Sequence, residues 1–271
     1  MNSSVAKPPF VAIACGGTGG HLFPGIAVAK ELKKRGGKIA LLVSPKEIDR
    51  QIVKSATDFE VFTLPAVGLQ NRNCFSFAKS FLKSFFAARK IFKAQKPDAV
   101  LAMGGFTAAP PVLAAKKFGA KTFLHESNAI PGRANRFLAK FVDEAFIGFS
   151  ESAARLRAEK ISVTGTPVRP QFFHSALRTP HSAISLGLDP NRTVILVVGG
   201  SQGARGLNEM ILSALPLLAQ KNWQWLHLTG ANDFEKVKAA YSARGIKAVV
   251  KPFLAEMELA FGAATASVSR S

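Results

Sequence analysis

At 271 residues and 48% hydrophobic content, the chain has length for two ordinary domains and enough apolar side chains to fill their cores. Its 36 Lys and Arg against 17 Asp and Glu give a net charge of +19, which implies an anionic partner: phosphates, nucleic acid or an acidic membrane face. Two cysteines, Cys15 and Cys74, exclude a disulfide framework and a cysteine metal cluster and fit a reducing compartment.

The first ten residues hold one lysine and two prolines before a five-residue apolar run, too short for a signal-peptide core. No apolar run is long enough to span a bilayer. The run at 11–14 reads as a buried strand that breaks into a loop with four glycines, Gly16, Gly17, Gly19 and Gly20. A helix pattern follows at 23–34, with Pro24 near its first turn. Strand, glycine loop and helix together aim free backbone N–H groups at an anion. His21 closes the loop at the carboxyl edge of the sheet, as a base candidate or as a helix N-terminal residue bonded to the loop.

Strands are expected at 38–43, 61–64, 99–103, 122–125, 145–148 and 161–164, with helices at 46–56, 75–94, 110–118, 133–141 and 152–158 between them. This alternation predicts parallel strands with crossover helices. The strand at 38–43 ends at Ser44-Pro45 without an acidic residue for a ribose hydroxyl, and neither glycine loop spells a dinucleotide or triphosphate motif. In the helix at 75–94, Phe81, Leu82, Phe85, Phe86 and Phe92 are expected on one face, with Lys79, Lys83 and Lys90 on the other. That pattern fits a membrane-surface helix or a crossover helix with a Phe core face.

Further candidates sit at predicted strand ends. Gly104 and Gly105 form another glycine turn, or a plain one. His125 and Glu126 invite an acid–base reading or a structural pair. Asn128 can donate and accept, which suits a sugar hydroxyl. Arg169 could neutralise phosphate or form a surface salt bridge. Residues 170–190, rich in Pro, His, Ser and Thr, read as a linker with one short helix between a domain at 1–169 and one at 191–271. The second domain restarts the same grammar. A strand from 194 enters a loop with Gly199, Gly200, Ser201 and Gly203, then a helix at 204–219. Strands follow at 225–228, 248–251 and 266–268, and helices at 233–243 and 255–263. No metal motif appears, and no RNP-like or zinc-finger spacing supports a nucleic-acid partner.

Together, Cys-Gly-Gly-Thr-Gly-Gly-His-Leu-Phe-Pro-Gly (15–25), Met-Gly-Gly-Phe (103–106), His-Glu-Ser-Asn (125–128), Thr-Pro-Val-Arg (166–169) and Gly-Gly-Ser-Gln-Gly-Ala-Arg (199–205) resemble the MurG family, the peptidoglycan N-acetylglucosaminyltransferases. The resemblance implies an α/β protein of GT-B fold, with two Rossmann-like domains whose parallel sheets face a cleft. It implies inverting transfer of N-acetylglucosamine from UDP-N-acetylglucosamine to the muramyl 4-hydroxyl of lipid I, giving lipid II. The expected partners are those two substrates and an anionic surface, at the cytoplasmic face of the bacterial plasma membrane. No cofactor is expected. Carried over by residue, donor contacts fall on Thr18, Gly19, Gly20, Asn128, Arg169, Ser201 and Leu254. The acceptor pyrophosphate falls on Gly16, Gly17, Gly104 and Gly105; His21 or Glu126 is the base. Ser127 replaces the family's usual Gln. The family continues beyond residue 271 with further donor contacts, so the second domain is expected to be incomplete. The alternative function is an inactive truncated relative that only binds membrane surfaces or lipid pyrophosphate.

Overall fold

The computed structural model describes residues 7–46, 49–50, 53, 58–65, 74–170, 172, 179–200 and 202–270. The chain divides into two compact units, Met1–Arg169 and Pro170–Ser271. Each is built on a parallel sheet.

In the first unit the strands are β1 (Phe10–Ala14), β2 (Lys38–Val43), β3 (Glu60–Thr63), β4 (Ala99–Ala102), β5 (Lys121–Glu126), β6 (Glu144–Ile147) and β7 (Ile161–Val163). They order as β3-β2-β1-β4-β5-β6-β7, all parallel. The order reverses between β1 and β4, and Ala14 of β1 pairs with both Leu42 and Ala102. The loops leaving β1 and β4 therefore diverge side by side, which opens a crevice at their carboxyl ends.

Alternating strand residues sort the core. Ala12, Ala14, Val100, Ala102 and Leu124 face one side, where α2 (Cys74–Ala94), α3 (Ala109–Lys116) and α4 (Arg133–Leu138) cover them. Ile13, Leu41, Val43, Leu101 and Phe123 face the other side, under α1 (Gly19–Lys34). Helix α1 begins four residues earlier than the sequence pattern implies. Thr18 is extended and its carbonyl accepts from the His21 and Leu22 N–H groups at 3.1 Å, so Gly19 and Gly20 are the first helical residues. Pro24 then lies inside the helix, not in its first turn. Ser150–Arg155 is a 3-10 turn where an α-helix was expected, because the Ser152 N–H and hydroxyl both bond the Phe149 carbonyl, at 3.1 and 2.8 Å. The expected helix at 46–56 falls largely outside the described residues.

Helix α2 corrects the predicted face. Phe81, Phe85 and Phe92 pack on the core, but Leu82 and Phe86 are 54% and 58% exposed, beside Lys79, Lys83 and Lys90. The apolar set spans too wide an arc for one buried stripe; its edge turns outward.

The second unit has β8 (Val194–Val198), β9 (Gln224–Leu228), β10 (Ala248–Lys251) and β11 (Ala266–Ser269), ordered β10-β9-β8-β11. Helices α5 (Pro180–Ser185) and α8 (Met257–Ala263) cover one face; α6 (Arg205–Leu218) and α7 (Phe234–Ser242) cover the other. Part of the stretch read as a linker belongs to this core: Ala183, Leu186 and Leu188 are buried in it.

The loop between β8 and α6 rests against the loop after β9. Gly203 has φ +76°, and a Cβ there would lie 2.1 Å from the Thr229 carbonyl oxygen. Gly203→Ala is expected to destabilise the fold by on the order of 2–3 kcal/mol. Gly206→Ala meets nothing within 4 Å and is expected to stabilise by about 0.5 kcal/mol. Urea denaturation of both variants measures the contrast.

Candidate functional site

The first crevice is lined by the residues after β1, β4 and β5. Here His21, in the first turn of α1, lays its ring against Gly104: a Cβ on Gly104 would sit 2.8 Å from His21 Cε1. Gly104 has φ +114°, so only glycine fits both the backbone and the ring. Gly105 flanks the same ring. Burial pulls the His21 pKa below its ordinary 6.5, while the Met103 carbonyl, Glu126 and Asp49 act against that shift. With one ring N–H given to the Met103 carbonyl, the neutral imidazole keeps a lone pair on its other nitrogen. A neutral, half-buried imidazole beside a helix N-terminus can take a proton at pH 7.

Glu126 does different work from the base role read for it. It is 1% exposed, and its carboxylate accepts four hydrogen bonds. Oε1 accepts from the Asn128 N–H and Nδ2, both at 2.8 Å; Oε2 accepts from the Gly132 N–H at 3.0 Å and Asn135 Nδ2 at 2.8 Å. Those donors fill the lone pairs a substrate hydroxyl would need, so Glu126 is a positioning residue. His125 is also committed: its Nε2–H donates to the Gly165 carbonyl at 3.0 Å, and Ser127 Oγ lies 3.3 Å from Nδ1. Burial lowers the His125 pKa.

A second carboxylate holds the first glycine loop. Asp49, fully buried, accepts from the Gly17 N–H at 2.8 Å and from the Ser44 N–H at 3.0 Å and hydroxyl at 2.5 Å. The Gly17 N–H is therefore occupied, which corrects its assignment to the acceptor pyrophosphate. An acidic residue does follow β2, contrary to the sequence reading, but it clamps the loop. Gly16 is pinned as well, since its carbonyl accepts from Thr107 Oγ1 at 2.7 Å. Lys46 Nζ donates to the Gly17 carbonyl at 2.9 Å and adds a cation at the crevice rim. The Cys15 thiol is buried beside Asp49, and both effects push its pKa up, which keeps it inert.

The donor candidates of this unit border the crevice. Thr18 is exposed at the N-cap and makes no side-chain cap bond. Gly19 and Gly20 follow it in the first turn, where N–H groups point outward. Asn128 is exposed and, with its amide nitrogen on Glu126, offers Oδ1 to a ligand. Arg169 stacks on Phe23 at 4.5 Å, which orients its guanidinium.

The second unit has its own crevice where β8 and β11 adjoin. Gly199 and Gly200 leave β8, and Arg270 Nε donates to the Gly199 carbonyl at 3.1 Å. Ser201 lies outside the described residues. Leu254 is 7% exposed and packs in the core with Val198 and Met257, so only its backbone can meet a ligand. A buried network unread in the sequence supports this loop. Asn208 Nδ2 donates to the Thr229 carbonyl at 2.9 Å and to Asp233 at 2.8 Å; its Oδ1 pairs with His227 Nε2 at 3.0 Å, and His227 Nδ1 lies 3.2 Å from the Tyr241 hydroxyl. The spacing of Gly203, Asn208 and His227 in sequence gives no local sign of this cluster.

Residues 11–147 match the glycosyltransferase family 28 N-terminal domain, and residues 194–271 the family 28 C-terminal domain. The fold and these matches define a glycosyltransferase of GT-B class. The chain is 36% identical over 268 residues to the UDP-N-acetylglucosamine–N-acetylmuramyl-(pentapeptide) pyrophosphoryl-undecaprenol N-acetylglucosamine transferase of Syntrophus aciditrophicus, covering 96% of this chain and 72% of that one. It is 37% identical over 266 residues to the Geobacter sulfurreducens enzyme of the same name, with the same coverage. The crystal structure of Acinetobacter baumannii MurG superposes with a TM-score of 0.66 at 27% identity, covering 97% of this chain and 73% of that one. A UDP-N-acetylglucosamine 2-epimerase from Rickettsia bellii shares the fold, with a TM-score of 0.67 at 17% identity over 98% of this chain and 75% of that one. The chain belongs to the MurG family.

The His227 network has a measurable consequence. Burial lowers the His227 pKa from 6.5 to about 4. The unfolded chain therefore binds this proton first, and folding stability falls as pH drops from 6.5 to about 4. The loss expected from His227 alone is up to about 3 kcal/mol; His21 and His125 add with the same sign. Urea denaturation across this range should show the decline, with a shallower slope for His227→Gln.

Proposed function

We propose that this protein transfers N-acetylglucosamine from UDP-N-acetylglucosamine to the muramyl 4-hydroxyl of undecaprenyl-pyrophosphoryl-MurNAc-pentapeptide, with inversion, at the cytoplasmic face of the plasma membrane. The observation that carries this reading is the neutral His21 imidazole, held on Gly104 at the β1–β4 crevice. Identity of 36–37% to enzymes named for this reaction supports the choice of substrates. In a single displacement the acceptor oxygen attacks the anomeric carbon as its proton passes to His21. The bond from that carbon to the UDP oxygen breaks, and UDP leaves with the electron pair. The glycine-loop N–H groups entering α6, with Ser201 and the Leu254 backbone, bind the donor. Thr18, Gly19, Gly20, Asn128 and Arg169 add contacts to it. Gly104 and Gly105 receive the acceptor pyrophosphate.

Docking follows from the acceptor, whose polyprenyl chain stays in the bilayer. Among the described residues no helix is long and apolar enough to cross a membrane. The outward side of α2 mixes Phe75, Leu82 and Phe86, 91%, 54% and 58% exposed, with Lys79, Lys83 and Lys90. Apolar side chains ringed by lysines suit an anionic bilayer surface.

His21→Ala should lower transfer of labelled N-acetylglucosamine to a lipid I analogue by roughly 10²–10⁴-fold while UDP affinity changes little. The acid limb of kcat/KM should fall below pH 6.5, since the folded base stays unprotonated there. UDP and lipid-pyrophosphate binding without any transfer would contradict the proposal in favour of a binding protein. Lys79→Glu with Lys83→Glu and Lys90→Glu should release the protein from anionic vesicles; unchanged co-sedimentation would remove α2 from the docking surface.

A further inference from the structure

An acceptor sugar carried on a pyrophosphate brings a negative charge on each phosphate into the first crevice. Two carboxylates are already buried there, Asp49 and Glu126, and the charges of both act on the His21 ring. Buried charges are little screened by salt, so both carboxylates oppose an incoming anion. His21 offers no compensation, because burial keeps its ring neutral. The Gly17 N–H offers none either, since it already donates to Asp49 at 2.8 Å. A pyrophosphate at Gly104 and Gly105 therefore needs a cation from a neighbouring segment.

Lys46 is fixed in place to supply it. Its N–H donates to Ser44 Oγ at 3.3 Å, and its carbonyl accepts from the Asp49 and Arg50 N–H groups at 3.1 and 3.2 Å. The same Ser44 hydroxyl donates to Asp49, so the clamp on the glycine loop also sets the Lys46 backbone. The Lys46 side chain is exposed and reaches back to the loop, where Nζ donates to the Gly17 carbonyl at 2.9 Å. An ammonium has three N–H groups. Among the described residues no acidic side chain pairs with this one, so two N–H groups remain for a ligand.

Thr107 joins this loop to the glycine turn after β4. A Cβ on Gly17 would lie 3.6 Å from Thr107 Oγ1, and a Cβ on Gly105 would lie 3.8 Å from the same atom. His21 Nε2 is 3.4 Å from that Gly105 position. Lys46, Gly17, Thr107, Gly105 and His21 thus form one line of neighbours along the crevice. In the acceptor, the pyrophosphate and the 4-hydroxyl lie across one sugar ring from each other. With the hydroxyl at His21, the pyrophosphate falls toward Gly17 and Lys46. We infer that Lys46 binds the acceptor pyrophosphate, through charge-assisted hydrogen bonds from the N–H groups not used on Gly17. The inference rests on the acceptor reading above and adds the residue that meets its charge.

The test is calorimetry with farnesyl pyrophosphate, with excess UDP present to occupy the glycine loop of the second unit. Lys46→Met should weaken farnesyl pyrophosphate binding by roughly tenfold or more, while Lys46→Arg, which keeps the charge, should stay within about threefold of the parent. Lys34→Met, at an exposed lysine in the last turn of α1, should change binding by less than about twofold. UDP affinity, measured separately, should be unchanged in all three. Thr18, Gly19 and Gly20 continue the same loop as donor contacts, so a loosened loop would lower UDP affinity as well. Equal losses for the two ligands, equal losses in Lys46→Met and Lys34→Met, or no loss in Lys46→Met would each overturn the lysine site. So would a parent protein that binds no farnesyl pyrophosphate. Transfer to a lipid I analogue separates this site from the transferase reading. If the parent transfers and Lys46→Met leaves the acceptor KM unchanged, the lysine site falls and the transferase stands. If pyrophosphate binding depends on Lys46 but the parent transfers nothing, the transferase reading falls and the lysine site stands.

Discussion

The Glu126 carboxylate at the end of β5 organises the first crevice. A buried carboxylate is costly unless donors surround it, and here Asn128, Gly132 and Asn135 supply four. Those bonds fix the loop from β5 into α4. Asn135 then reaches Gly104: a Cβ there would lie 3.1 Å from its Nδ2 and 2.8 Å from the His21 ring. One carboxylate thus sets the exposed Asn128 and the floor under His21 together. Replacing it by an amide would turn N–H groups toward N–H groups and loosen both.

Asp49 plays the corresponding part on the other side of the crevice, tying the loop after β1 to the end of β2 through Gly17 and Ser44. Two buried carboxylates therefore brace the loops that border the first crevice. The second unit braces its glycine loop through Asn208, which joins Thr229, Asp233 and His227. Its backbone contact at Gly203 leaves no room for any side chain. In both units the rigidity of the glycine loops comes from buried polar groups beneath them.

Much of the fold was legible in the sequence because parallel strands are continuous apolar runs that alternate with helical patterns. Both glycine loops were legible for the same reason, as breaks at strand ends. The roles of neighbouring polar residues were not. His125 and Glu126 look like an acid–base pair in the sequence, but successive strand residues point to opposite faces. His125 meets Gly165 on one side and Glu126 meets Asn135 on the other. Asp49 was missed because the loop residue it clamps, Gly17, lies 32 positions away. In α2, periodicity located the helix but misplaced Leu82 and Phe86, since apolar residues at the edge of a stripe can serve the core or the surface. Only the packed neighbours of Phe81, Phe85 and Phe92 decide between them.

The account turns on His21 being a neutral base at working pH. Nitrogen-15 NMR of the imidazoles, with His21 assigned from its substituted variant, measures this directly. At pH 7 the account predicts one pyrrole-type and one pyridine-type nitrogen for His21, persisting as the pH falls through 6.5. Two protonated nitrogens at pH 7 would contradict it.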